Sequence, residues 1–436
     1  MRLLLNGRLQ SSQLLQKLER EINNITDIEN ASPSNKISYS TLLLNNWNLN
    51  EIDEGVVDVL EKYLECQQQH TTSSLSSPIY DIVLQNCAGS DRAIQRLVAM
   101  LLHMTAQANN PSSQTNSEQR QQQKQEAMIK SSLTIRYDKQ RKLPMAVAKG
   151  LLQGAKQQSS WNKIPLHALT LKGMTLTADT TSILQQAMEH LPTLQELTLR
   201  GNFTLQELDK KQPSIIGKQQ SSKSNDLARK QEMECIVDLL YETLQSLPDL
   251  KVLDLQQCHL PDRYLADLLE GVYPNVIRSL NLNGNMCEEE SLDMVWGILQ
   301  DKECTLRELD LSWQRLPNKG DKNYSTLDLG QLSKAIGRNT SLEKLDISDN
   351  KLLDSDLDAL GDALTYNTAL KRLRMQNCRI TTNGVLALAK HLPDWSEQLT
   401  NVYLDGQQRI EKTPDTRNAI FQALLKNVYL KELELP

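Results

Sequence analysis

Aromatic side chains are scarce: two Phe, five Trp and eleven Tyr make up 4% of 436 residues. Compact domains of this length usually build their cores around such rings, so the apolar interior has to come from another residue type. Long hydrophobic runs are missing too. None approaches the roughly 18 residues that a membrane-spanning helix requires. The opening MRLLLNGRLQSSQLLQ has no apolar stretch followed by a small-residue cleavage site, which predicts no signal peptide and an intracellular chain, in the cytoplasm or the nucleus. Seven cysteines are odd in number, far apart and never spaced as CxxC, so neither a disulfide framework nor a zinc cluster is expected. An excess of basic residues is also absent. With 48 Lys and Arg against 54 Asp and Glu, the formal charge is −6, which argues against nucleic acid and membrane as partners while leaving local basic patches open.

The signatures of chemistry are missing as well. No GxxxxGK[ST] phosphate loop, GxGxxG turn, GxSxG elbow or HExxH pair occurs, and the six histidines are isolated. The expectation is a non-enzyme with no catalytic residues, no metal and no cofactor.

What the chain has in excess is leucine, 75 residues of 436. The frame LxxLxLxxN/C recurs as LQELTLRGN from Leu194, LKVLDLQQC from Leu250, IRSLNLNGN from Ile277, LRELDLSWQ from Leu306, LEKLDISDN from Leu342 and LKRLRMQNC from Leu370. Weaker copies begin at Tyr39, Ile79, Leu166, Leu399 and Leu430, with a degenerate one near Leu133. Their tightest spacing is 27 to 29 residues. Between frames, segments such as Ile183–Leu191, Leu265–Leu269, Leu357–Leu364 and Val385–Leu392 carry part or all of an i, i+3, i+4, i+7 apolar stripe, preceded in two cases by cap residues, Asp354 or Ser355 and Thr381 or Thr382. Each unit is therefore read as one strand plus one helix. Neither can bury its apolar face alone, and stacking builds one continuous core. The predicted fold is an α/β solenoid of about 12 repeats, with parallel strands on a concave face and helices on a convex one.

These frames resemble the leucine-rich repeats of the ribonuclease-inhibitor type, a horseshoe family with about 28 residues per unit. The resemblance covers roughly Tyr39 to Leu435 and implies that Asn or Cys at the ninth frame position turns inward to bind backbone groups. Cys87, Asn202, Cys258, Asn285, Asn350 and Cys378 fill that position as a structural ridge; Trp47, Met174, Gln314 and Gln407 depart from it and predict a less regular ladder. Residues 1–38 read as an N-terminal cap or degenerate repeat, and 39–436 as the repeat domain with polar inserts at 106–128, 206–226 and 314–326. The chain stops just after a predicted strand, so that end is expected to meet a partner or continue.

Function is sought on the outward side chains of the strands, since alternation sends every second residue away from the core. Lining up the frames gives one column through Asp254, Asn281, Asp310, Asp346, Arg374, Tyr403 and Glu434, and a neighbouring one through Glu308, Lys344, Arg372 and Asn401. The charge runs from acidic to basic along the sheet. Asp254, Glu308, Asp310, Trp313, Asp346, Arg372, Arg374 and Tyr403 are the candidate partner-binding residues, with Trp313 expected as an exposed anchor just past its strand. The expected function is a non-enzymatic scaffold or regulator that holds a protein partner, whose identity the sequence does not give. The repeats are also similar to those of Ran GTPase-activating protein, which implies a GTPase activator as the alternative. The irregular early repeats and the absence of a long acidic tail depart from that family. A subunit of a ubiquitin-ligase or innate-sensing system would need an F-box-like segment or nucleotide-binding domain, and neither is visible.

Overall fold

The computed structural model describes residues 2–6, 41–47, 57–62, 81–107, 131–159, 166–201, 220–314, 329–407 and 413–434, together with positions 16, 20, 327 and 410. Asn202 and most of the inserts 106–128 and 314–326 lie outside the described residues. The chain groups into two compact units, 1–202 with 246–250, and 203–245 with 251–436.

The first unit holds six parallel strands in chain order: β1 (Arg2–Asn6), β2 (Thr41–Asn45), β3 (Asp81–Gln85), β4 (Ser132–Lys142), β5 (Ala168–Thr175) and β6 (Glu196–Arg200). Leu3, Leu42, Ile82, Leu133, Leu169 and Leu197 stand in one register row. β1 thus joins the ladder from within the segment 1–38. Its helices include α1 (Asp91–Gln107), α2 (Met145–Ser159) and α3 (Ala178–Glu189). Thr177 and Thr180 cap α3 reciprocally, at 3.3 and 3.0 Å.

The second unit begins with α4 (Gln220–Gln245) and alternates strictly thereafter: β7 (Val252–Asp254), α5 (Asp262–Leu269), β8 (Ser279–Asn281), α6 (Glu289–Gln300), β9 (Glu308–Asp310), α7 (Leu329–Arg338), β10 (Lys344–Asp346), α8 (Asp354–Tyr366), β11 (Arg372–Arg374), α9 (Thr382–His391), β12 (Asn401–Tyr403), α10 (Pro414–Lys426) and β13 (Glu432–Glu434). Leu253, Leu280, Leu309, Leu345, Leu373, Val402 and Leu433 share its register row. Helix α4 corrects the reading of 206–226 as a loop throughout. Met233, Ile236, Val237, Leu240 and Leu244 form a buried stripe in its later turns. Once those turns are formed, adding residues at the N-terminal end costs little, so the helix runs back through the polar sequence from Gln220.

The inward leucines of the strands, such as Leu42, Leu169, Leu197, Leu253, Leu309 and Leu373, are buried, while most alternate residues are half-exposed or exposed. Parallel sheets normally have both faces covered; here the helix leucines, such as Leu329, Leu332, Leu357 and Leu360, pack one side, and the other is open. The fold is an α/β leucine-rich-repeat solenoid in each unit. Among the described residues no helix is long and apolar enough to cross a membrane.

Two devices recur at the turns that follow the strands. The first is a left-handed residue. Asn46, Asn86, Gly201, Gln257, Gly284, Trp313, Asp349, Asn377 and Gly406 all have φ between 53° and 76°, the region that Gly, Asn and Asp tolerate best. In the second unit Gln257, Gly284, Trp313, Asp349 and Asn377 each send their N–H to the following repeat, as in Gln257 to Asn283 O (2.7 Å) and Trp313 to Ser348 O (2.9 Å). The second device is a buried amide. Asn285 donates to Leu255 O and Leu282 O, both at 2.9 Å, and accepts from Leu260 N at 3.2 Å. Asn350 donates to Leu311 O (2.8 Å) and Ile347 O (3.0 Å) and accepts from Gln314 N (2.9 Å).

The departures from this pattern do less damage than their residue types predict. Gln314 is fully buried and donates to Leu282 O at 2.9 Å while accepting from Cys287 N at 3.2 Å. Gln407 donates to Met375 O at 2.6 Å and accepts from Ile380 N at 3.1 Å. A glutamine one methylene longer thus reaches the equivalent carbonyl of the preceding repeat at these two turns. Cys378 and Cys87 point their thiols at Ile347 O (3.2 Å) and Leu44 O (3.6 Å), and burial pushes those thiols up to about 12 and about 11.

A second amide ladder, unread in the sequence, closes the helix-to-strand turns. Asn339, Asn367 and Asn427 are each buried; their amides donate to Leu299 O, Ile336 O and Leu392 O at 2.8 Å, and their carbonyls accept from the N–H three residues on. The motif N-x-x-L at NTSL, NTAL and NVYL is its sequence signal. Helix caps also pass between repeats. Asp262, at the start of α5, accepts from Glu288 N (2.7 Å), Glu290 N (2.9 Å) and Ser291 N (3.1 Å) at the start of α6. Asp354 likewise accepts from Thr381 N at 3.0 Å, ahead of α9. Asp354 is thus no cap of its own helix; the N-cap of α8 is Leu353, without a side-chain bond.

Candidate interaction surface

The open face of the second unit carries a groove of about 300 Å³ over β8 to β11. Its register pairs Asn281, Asp310, Asp346 and Arg374 in one column and Ser279, Glu308, Lys344 and Arg372 in the next. Those outward residues line it. Five of the eight predicted binding residues therefore converge: Glu308, Asp310, Asp346, Arg372 and Arg374. Ser279, Asn281 and Lys344 stand in the same columns and complete the lining.

The other three do not line the groove. Asp254 is buried, at 8% exposure, and so is Tyr403, at 9%. Tyr403 is covered by its neighbours: its hydroxyl donates to Glu432 at 2.6 Å, and the Arg374 guanidinium lies 5.1 Å from its ring centroid. The carboxylate bond holds its phenol proton more tightly than usual. Trp313 is half-buried rather than exposed. Its left-handed backbone turns the residue so that a Cβ on Gly284 would lie 3.2 Å from its ring. A bulky residue in that conformation is an outlier that costs about 1–2 kcal/mol.

The acidic column has a second job that residue type alone suggests but the charge reading passed over. The Oδ1 atoms of Asp254, Asn281, Asp310 and Asp346 accept from the N–H two residues ahead, on Gln256, Asn283, Ser312 and Ser348, at 3.0, 3.0, 2.9 and 3.0 Å. Asp and Asn make such local turns readily. Each of the three carboxylates is thereby tethered through one oxygen.

The charges are sorted rather than fully paired. Lys344 meets Glu308 at 2.5 Å and Arg374 approaches Asp346 at 3.9 Å. These exposed pairs are worth little to stability. Asp310 has no ion pair among the described residues. Burial raises its proton affinity, the Ser312 bonds work against that, and the nearby Asp346 and Asp254 charges add to it. The Nε of Arg374 is buried without a hydrogen-bond partner, and no ion pair or hydrogen bond of the Arg372 side chain occurs among the described residues. Also among them, no three His, Cys, Asp or Glu residues converge to hold a metal ion.

Comparison with known proteins agrees with this architecture. The Leucine Rich repeat family model matches residues 338–361 and 366–389, which contain β10 and β11. The human NACHT, LRR and PYD domains-containing protein 5 is 32% identical over 131 residues, 30% of this chain and 10% of that protein. The human protein 14 of the same series is 29% identical over 151 residues, 34% of this chain and 13% of that protein, and the mouse protein 4B is 34% identical over 116 residues, 26% and 12%. The matches thus span only about an eighth or less of each relative's length. Among solved structures, the leiomodin-1 actin-binding site 2 has a TM-score of 0.29 at 18% identity, covering 34% of this chain and 80% of that one. With the repeated leucine frame, the strand-and-helix units and the matched repeats pointing the same way, the chain is a leucine-rich-repeat protein whose units are consistent with the ribonuclease-inhibitor type.

Proposed function

We propose that this protein is a non-enzymatic interaction module that holds a protein partner across the open face of β8 to β11. The observation that carries the reading is the sorted charge of the groove: Asp310, half-desolvated, and Arg372, whose charge is felt by Glu432, each lack an ion pair among the described residues, on strands two apart. Solenoid sheets offer extended binding surfaces of this kind, and complementary charge gives specificity and orientation. The fitting partner is a polypeptide with a basic side chain over Asp310 and an acidic one over Arg372. The net charge of −6 supports protein over nucleic acid or an anionic membrane as that partner.

The test pairs an Asp310→Asn variant, which keeps the turn bond as Asn281 does, with Arg372→Glu. A photoreactive residue at Ser279 should crosslink a defined partner in the wild type. Loss of that product in both variants, with unchanged melting temperatures, is the expected result. Equal crosslinking in all three proteins would end the proposal.

A further inference from the structure

The first unit carries a different surface on its open face. The last outward position of its strands reads Asn45, Gln85, Arg136, Lys172 and Arg200, in register from β2 to β6. Amides give way to three cations on adjacent strands. Neighbouring strands lie about 4.8 Å apart, so the cations span roughly 10 Å. Like charges directly opposite one another in a sheet are unfavourable unless an anion joins them.

The surroundings of Arg136 and Lys172 offset their charge only in part. Arg136 donates to the Gln85 carboxamide at 2.6 Å, and its Nε is buried with no hydrogen-bond partner. Lys172 is exposed and forms no ion pair among the described residues. Asp138 lies close, but Asn86 (2.6 Å) and Gln85 (3.2 Å) already occupy its carboxylate. Its carboxyl sits below the usual range, first because of the Asn86 bond and further because Arg136 and Lys172 stand near. Beyond Asp138, β4 continues with exposed Lys139, Arg141 and Lys142.

We propose that the Arg136–Lys172–Arg200 row is a docking site for an acidic protein segment crossing the strands. An extended peptide places alternate side chains roughly 6.5 Å apart. Two carboxylates at i and i+2 then each fall between a pair of cations. The next outward row, Thr134, Thr170 and Thr198, puts hydroxyls alongside for the peptide backbone. A single-stranded nucleic acid fits less well, because such sites use exposed aromatic platforms. The aromatic residue on β4, Tyr137, is buried with its hydroxyl bonded to Cys87 O at 2.8 Å.

The experiment is fluorescence anisotropy with a labelled peptide of alternating Glu and Ser, run at low and at physiological salt, with oligothymidylate as a second probe. The whole chain should bind the peptide saturably and more weakly as salt rises. Lys172→Glu and Arg200→Glu should each weaken binding by about tenfold or more, with melting temperature unchanged. Arg372→Glu, in the other unit, should leave it as it is. Lys172→Gln guards against a folding defect and should show a smaller loss of the same sign. Absent or non-saturable peptide binding, binding indifferent to these substitutions, or tighter binding of oligothymidylate would each overturn the assignment.

Discussion

Replacing Asn285 by alanine tests whether the amide ladder carries the stability of the second unit. The side chain is fully buried, donates twice and accepts once, to Leu255 O, Leu282 O and Leu260 N. Alanine leaves three buried backbone groups without partners. A hydrogen bond nets about 1 kcal/mol, and an orphaned buried group costs about 1–3 kcal/mol, which puts the loss at roughly 3–5 kcal/mol. Domains hold only about 5–15 kcal/mol in total, and one of this size loses about 2–4 °C per kcal/mol. Urea unfolding followed by circular dichroism should therefore show a large shift in midpoint, with hydrogen exchange at the Leu260 amide accelerated. Asn285→Cys should lose distinctly less, because Cys258 and Cys378 occupy the equivalent place in neighbouring repeats. An alanine variant that loses less than about 1 kcal/mol, or a cysteine variant worse than alanine, would refute the reasoning.

Three other outcomes follow. Asp262→Ala should cost about 1–2 kcal/mol, the usual range for a lost helix cap, and the lost exchange protection should localise to the first turn of α6. Asp310→Asn should melt no lower than wild type at pH 7. The raised proton affinity of Asp310 in the folded state means the unfolded carboxyl ionises first as pH rises, so its ionisation opposes folding above the unfolded value, and any advantage of asparagine should vanish near pH 3. Maleimide labelling of the native protein should reach exposed Cys235 fast and spare Cys87, Cys287 and Cys378 until denaturant is added. The last two thiols, pushed up to about 12, also predict stability falling as pH climbs above about 9, where unfolded thiols ionise and folded ones do not.

The sequence made the strands and their register legible because the leucine frame repeats near a fixed period, so Asp310, Asp346 and Arg374 could be placed side by side from spacing alone. What lay beyond it were effects that depend on where a side chain turns. The period says nothing of the backbone sign at Trp313, whose left-handed conformation draws the ring against Gly284. Nor does it say that Gln314 and Gln407 reach the carbonyls an asparagine would serve. Asp254 and Tyr403 looked exposed because alternation predicts direction, not coverage by the neighbouring turn. The start of α4 was read as loop because its residues are polar, whereas its order comes from the buried stripe that begins at Met233, further along the helix.

The tether on the groove carboxylates bears on how such a surface diversifies. Because one oxygen of Asp254, Asp310 or Asp346 fastens the turn and asparagine does the same at Asn281, exchange between the two residues alters the face by a single charge and leaves the scaffold bond in place. Such a substitution, which takes a single base, is electrostatic at the surface and conservative in the turn.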